Sequence, residues 1–307
     1  MSGTTDLKAS KSKLSFRGTL HSKKRTKMIA DIVAFITIVC VSAIVLLPIW
    51  WMFRSSVMGS LDIFKWPPTF FPMGTIDPGK WLWSNYLTAA NTTGFIYFRY
   101  LLNTLTIVIP CVVFGTATAI PCAYAFARLR FKGKNFLFSL CVGSMLLPSM
   151  VTLLPLYIAW SQLGFVDTYW PLILPYLCGG GAFNIFLLRQ FIKTIPRELD
   201  EAAKIDGAGY FRTLVSIIVP SIRAAIIVVA LLIFITTYND LLQQMIYVKS
   251  PEKRTLVLGL TIFFGSFKVD YATMFAATCL TFIPGVLVYL FGQRYFVEGI
   301  VMTGMKN

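Results

Sequence analysis

Histidine is almost missing from this chain of 307 residues: His21 is the only one, and thirteen acidic residues face twenty-eight lysines and arginines. A lone histidine builds neither a metal cluster nor a Ser-His-Asp relay. The six cysteines, Cys40, Cys111, Cys122, Cys141, Cys178 and Cys279, contain no Cys-x-x-Cys pair and all lie in apolar stretches, where a thiol packs as a small hydrophobe. A zinc site and a catalytic triad are therefore excluded, and no catalytic residue is assigned. Charge is scarce as well, at 13% of residues against about a quarter in soluble domains. The carboxylates Asp31, Asp62, Asp77, Asp167, Asp240, Asp270 and Glu298 stand at the ends of apolar runs or between them. A transporter driven by an ion gradient places ionisable groups in mid-membrane, so this pattern argues against one.

What is abundant is apolar sequence, 56% of residues at a mean hydropathy of +0.71. It falls into six blocks of membrane length, Met28 to Phe53, Leu101 to Phe126, Phe136 to Trp160, Pro171 to Phe191, Leu214 to Thr237 and Tyr271 to Phe291, each near the roughly 20 residues that cross a bilayer. The expected fold is an all-α integral membrane protein with six transmembrane helices. Pro171, Pro175 and Gly179-Gly180-Gly181 interrupt the fourth block, whose first half fits an irregular or re-entrant segment. The first block exceeds the usual length of a signal-peptide core and ends in Trp50, Trp51 and Arg54 with no small-residue cleavage site, so it reads as a retained anchor. Residues 1–27 read as a basic cytosolic tail without regular structure, near anionic lipid.

The net charge of +15 raises the question of nucleic acid, and the distribution of the basic residues answers it. With a cytosolic N terminus, nineteen lysines and arginines fall on the inside, among them Lys8, Arg128, Arg130, Arg197, Lys204, Arg294 and Lys306, and eight on the outside. The positive-inside rule then places both termini in the cytosol and 54–100 outside, as an extracytoplasmic loop. That loop is dense in Trp66, Pro67, Pro68, Phe70, Phe71, Trp81 and Trp83, residues that suit an interfacial aromatic belt and a protein-docking face equally.

One polar segment interrupts the apolar core of 101–307, the stretch Arg197 to Pro220. Pro196 suits a first helical turn, Glu198, Asp200 and Glu201 set negative charge at the positive end of the helix dipole, and Gly207 with Gly209 provides a stop. The expectation is a helix of about three turns on the cytosolic surface, with Ala202 and Ala203 small enough for another backbone to approach. Glu201-Ala202-Ala203, Gly207, Ile217, Val219 and Pro220 resemble the EAA loop of ABC importer permeases, with Val219 where the family usually has Leu. Pro251 to Leu256, Gln293 to Gly299, Asn85-Tyr86 and Arg99 to Thr104 resemble the carbohydrate branch, the maltose type, from about residue 29 to the C terminus.

The resemblance implies the type I importer permease fold, a prokaryotic plasma or inner membrane, and a function as the membrane-spanning subunit of an ATP-driven importer of carbohydrate, an oligosaccharide above all; glycerol phosphate or another polar solute is the alternative. It implies ATPase-coupling roles for Glu198, Glu201, Ala202, Ala203, Asp206 and Gly207. No GxxxxGK[ST] pattern occurs in the chain, so this chain binds no cofactor of its own and ATP with Mg belongs to a partner. The partners implied are two cytosolic ATPase subunits, a second homologous permease and an extracytoplasmic sugar-binding protein. Asn103, Tyr238, Asn239 and Asp240, polar or aromatic groups at the outer ends of two spans, are the candidates for the substrate pathway. Turn formation by Asn239 and Asp240, and interhelical bonding by Asn103, account for the same residues structurally.

Overall fold

The computed structural model describes residues 4–92, 94–264 and 270–304, with side chains for 27–92, 94–264 and 270–293. Lys306 of the charge argument, and Lys268, one of its eight outside residues, lie outside the described residues, as do the side chains of Lys8 and Arg294. The chain forms two units, Met1–Ser55 and Ser56–Asn307. In the first, helix α1 (Thr4–Ser56) runs unbroken through the basic tail into the first apolar block. The tail is thus helical, contrary to expectation. From residue 4 to 27 it has no proline and one glycine, and lysine, leucine and alanine extend a helix at one hydrogen bond per residue once the apolar block has nucleated it.

The second unit opens with short 3₁₀ turns at Pro72–Gly74 and Pro78–Lys80, helix α2 (Ser84–Ala90) and a two-residue hairpin, β1 (Asn91–Thr92) with β2 (Phe95–Ile96), antiparallel with Thr92 opposite Phe95. Asn85 Nδ2 holds this region by donating to the carbonyls of Ser56 and Met58, both at 2.9 Å. Helix α3 (Tyr97–Arg128) follows and spans about 48 Å at 1.5 Å per residue. Two helices, α4 (Lys134–Ser144) and α5 (Ser149–Gln162), occupy the third block and meet at 98°. The fourth block is α6 (Trp170–Leu177) and α7 (Ala182–Thr194), parted at the glycines. After the short α8 (Glu198–Ile205) come α9 (Tyr210–Thr213), a π-helical stretch Leu214–Ile218 and α10 (Val219–Ser221). Then come α11 (Arg223–Tyr238), α12 (Leu242–Tyr247), α13 (Leu256–Gly259) and α14 (Tyr271–Gly304).

Among the described residues four helical segments are long and apolar enough to cross a membrane, or six when each sharply bent pair counts as one span. The fifth block is therefore not the straight helix expected from Leu214 to Thr237: Tyr210–Ser221 and Arg223–Tyr238 meet at 82°. Pro220 explains the break. It has no N–H to offer residue 216 and its ring presses on that carbonyl, and the π-helical stretch just before it absorbs the mismatch. Pro148 stands at the other sharp bend. The core lies where α3, α7 and α11 pack, around Ala119, Ala123, Leu188, Ile192, Ile218, Val229 and Ile233.

Candidate functional site: a polar cavity and the α8 face

The glycine break in the fourth block is held against α3 by backbone contact. Gly179, Gly180 and Gly181 have φ of 98°, 64° and 100°, a left-handed region that glycine enters freely. A β-carbon built on Gly180 would lie 2.5 Å from the Gly115 carbonyl oxygen, so the two backbones touch. Thr118 Oγ1 accepts the Gly179 N–H at 2.9 Å, and Asn184 Nδ2 donates to the Gly180 carbonyl. Broken helices in a membrane survive where such partners satisfy the freed backbone and where the break lines a cavity. Both conditions hold here.

The cavity has a volume of about 390 Å³ and is lined by Ser149 and Thr152 of α5, Trp160, Tyr176, Gly180, Gly181, Asp240, Gln243 and Tyr247, with leucines and prolines between them. Rings, hydroxyls, an amide and one carboxylate converge, and no lysine or arginine is among the lining residues. Asp240 also accepts the Gln243 N–H at 3.1 Å, capping α12, so its structural and pathway readings coexist.

The other pathway candidates lie elsewhere. Asn103 donates from Nδ2 to the carbonyls of Glu252 and Arg254, both at 2.8 Å, which ties the start of α3 to the Pro251–Leu256 segment. Tyr238 is buried, its hydroxyl donating to Thr281 O at 2.6 Å and its ring stacked on Phe234. With Asn239 it lines a separate, largely apolar cavity of about 420 Å³ between α11 and α14. Of the four candidates the structure therefore brings only Asp240 to the polar cavity. Trp160 and Tyr176 are the residues that sequence reasoning missed; the run of three glycines after Tyr176 was the available signal.

The Pro251–Leu256 segment is clasped from the α5–α6 connection too. Asp167 accepts from the N–H groups of Lys249 and Ser250 at 2.9 and 2.8 Å, from Ser250 Oγ and from Lys253 Nζ at 3.0 Å. Hydrogen bonds from the Ser250 side chain and backbone hold its carboxyl well below the usual carboxylate range. Tyr169 Oη adds a bond to Lys253 O at 3.0 Å.

The second candidate region is α8. It has two turns, not three, because Gly207 at φ 76° ends it: Ala208 N–H reaches Ala203 O at 2.8 Å and Gly207 N–H reaches Lys204 O at 3.0 Å, a Schellman closure. Ala203, expected at the contact with a partner, is buried at 5% exposure. Glu198, Glu201, Ala202 and Asp206 are exposed, and so are Leu199, Ile205 at 86%, Tyr210 and Phe211 at 79%. Asp200 turns inward to Arg128, Nε to Oδ2 at 3.0 Å. A face that joins carboxylates to exposed apolar side chains is chemically suited to bind another protein.

Residues 112–301 match the model of the family described as "Binding-protein-dependent transport system inner membrane component". The chain is 32% identical over 232 residues to the maltodextrin transport system permease protein MdxG of Bacillus subtilis (strain 168), covering 75% of this chain and 82% of that one. It is 28% identical over 286 residues to the trehalose/maltose transport system permease protein MalG of Thermococcus litoralis, covering 92% and 99%. Its fold is that of a chain in the crystal structure of a bacterial ABC transporter that imports the acidic polysaccharide alginate, with a TM-score of 0.73 at 22% identity over 89% of this chain and 98% of that one. With the matched region covering more than half of its length, the chain belongs to the family of inner membrane components of binding-protein-dependent ABC transport systems.

Proposed function

We propose that this chain is the permease subunit of an ATP-driven importer of neutral oligosaccharides, and that the cavity beside the glycine break forms part of the sugar's path. The carrying observation is the lining itself. Tyr176 and Trp160 offer faces for sugar rings, while Asp240, Gln243, Ser149 and Thr152 offer partners for hydroxyls. A carboxylate with no lysine or arginine among the other lining residues disfavours a glycerol phosphate and equally a polyuronate such as the cargo of the structural neighbour. The transport systems named for the relatives MdxG and MalG carry maltodextrin and trehalose or maltose, which are neutral.

In this reading both termini and α8 face the cytosol, 54–100 faces outward, and two cytosolic ATPases using ATP and Mg engage α8 here and its counterpart on a second, homologous permease. Glu198, Glu201 and Ala202 form the contact surface together with Leu199 and Ile205, while Gly207 and Asp206 shape the end of the helix. An extracytoplasmic binding protein delivers the sugar when the cavity opens outward, and alternating access follows from two packings of the spans. Uptake of labelled maltodextrin at limiting concentration is the test. Asp240→Ala and Gln243→Ala should each raise the concentration for half-maximal uptake by about tenfold, from an unpaired hydroxyl costing about 1–3 kcal/mol. Parental uptake by both would remove the cavity from the path.

A further inference from the structure

The Arg128–Asp200 pair belongs neither to the cavity lining nor to the exposed face of α8. Arg128 is the last residue of α3 and is buried to 7% side-chain exposure, with Asp200 at 15%. Besides the 3.0 Å contact to Asp200, its Nη2 donates to the carbonyls of Ile192 at 3.0 Å and Ile195 at 2.6 Å, in the last turn of α7 and at its cap. One guanidinium thus binds α3, the end of α7 and α8 together. The exchange is mutual, for Arg189 of α7 donates to Phe126 O of α3 at 3.1 Å and lies 3.7 Å from the Phe138 ring centroid on α4.

Between α7 and α8 the covalent link is only Ile195, Pro196 and Arg197. Such a linker, acting alone, lets a surface helix swivel about its own backbone. The ion pair from Arg128 to Asp200 restrains that freedom while the same guanidinium is held by hydrogen bonds to the end of α7, and burial protects the pair from screening by salt. Further along, α3 meets the glycine break through Gly115 and Thr118. A single helix therefore connects α8 to the cavity wall.

We infer that Arg128 and Asp200 are positioning residues for transport: they fix α8 to α3, so that a displacement of α8 is carried along α3 to the Gly179–Gly181 wall of the cavity. The inference rests on the reading of α8 as the ATPase-facing helix. The experiment uses the assembled transporter, reconstituted with its ATPase and binding protein, and measures ATPase co-purification, thermal unfolding, and hydrolysis and uptake per assembled complex. Asp200→Asn keeps the shape and removes the charge. It should retain the ATPase, yet the rise in hydrolysis on adding loaded binding protein should fall by about tenfold. Asp200→Glu should recover most of that rise, and Arg128→Lys, which keeps the charge but loses the planar fork, should not. Stimulation per complex at the parental level in Asp200→Asn, or a decline that only follows the amount of folded complex, would overturn the inference. Ile205→Asp on the exposed face separates the two claims. If it leaves ATPase association unchanged, the docking reading of α8 fails and the inference falls with it; if it releases the ATPase while Asp200→Asn stays fully coupled, only the inference fails.

Discussion

A methyl group at Gly180 would collide with the backbone of α3, while one at Gly207 would meet no heavy atom within 4 Å. Both residues occupy the left-handed region, at φ 64° and 76°, so they separate conformational strain from crowding. Gly207→Ala should cost about 1 kcal/mol, the strain alone, and leave the cavity intact. Gly180→Ala adds the displacement of Gly115 and should cost about 2–5 kcal/mol. Thermal unfolding of the two purified variants measures the difference, and equal losses would mean that the two backbones do not touch. At this scale the sequence revealed the stop at Gly207, since glycine after a short polar helix has few other causes. It marked the glycine run that holds Gly180 as a break but not the partner of that break, which lies 65 residues away at Gly115.

The clasp around Pro251–Leu256 acts at the level of elements. It joins the start of α3, the α5–α6 connection and the segment between α12 and α13 through Asn103, Asp167, Tyr169 and Lys253. Asp167 has a depressed folded pKa, so the stability it contributes is present above its unfolded pKa and is lost as pH falls through the folded value. The difference in unfolding temperature between the parent and Asp167→Asn should hold steady from about pH 8 to about pH 5 and shrink only below about pH 4, where the unfolded carboxyl takes up its proton. A difference that already closes between about pH 7 and pH 6 would place Asp167 outside the clasp. The two sharp bends were only partly legible. Pro148 and Pro220 mark their places, but a proline within an apolar run is compatible with a kinked span as well as with a corner, and only packing selects between them.

For the whole molecule, the proposed orientation follows from the asymmetry of basic residues and is open to a direct test. Lys249, exposed beside the clasp, should face outward, and Lys204 on α8 should face the cytosol. Lys249→Cys should react with an impermeant maleimide in intact cells, above the parental background, and Lys204→Cys only in inverted vesicles. Labelling of Lys204→Cys from outside would reverse the assigned orientation and with it the ATPase-facing role of α8.

Hydropathy blocks, the bias of basic charge and the polar helix closed by glycine are local properties. The sequence alone therefore determined the membrane class, the approximate spans and the family motif around Glu201. Which polar residues share a cavity was decided only by tertiary packing. Tyr238 is the last residue of α11, and Asp240 follows the non-helical cap Asn239, so no helical period relates their two side chains. Tyr238 meets Thr281 of α14, and Asp240 lines the same cavity as the glycine break of the fourth block. No local pattern states which neighbour stands on which side, because that follows from how close α3, α7 and α14 come to α11, and Gly115 and Gly180 set part of that distance by having no side chain.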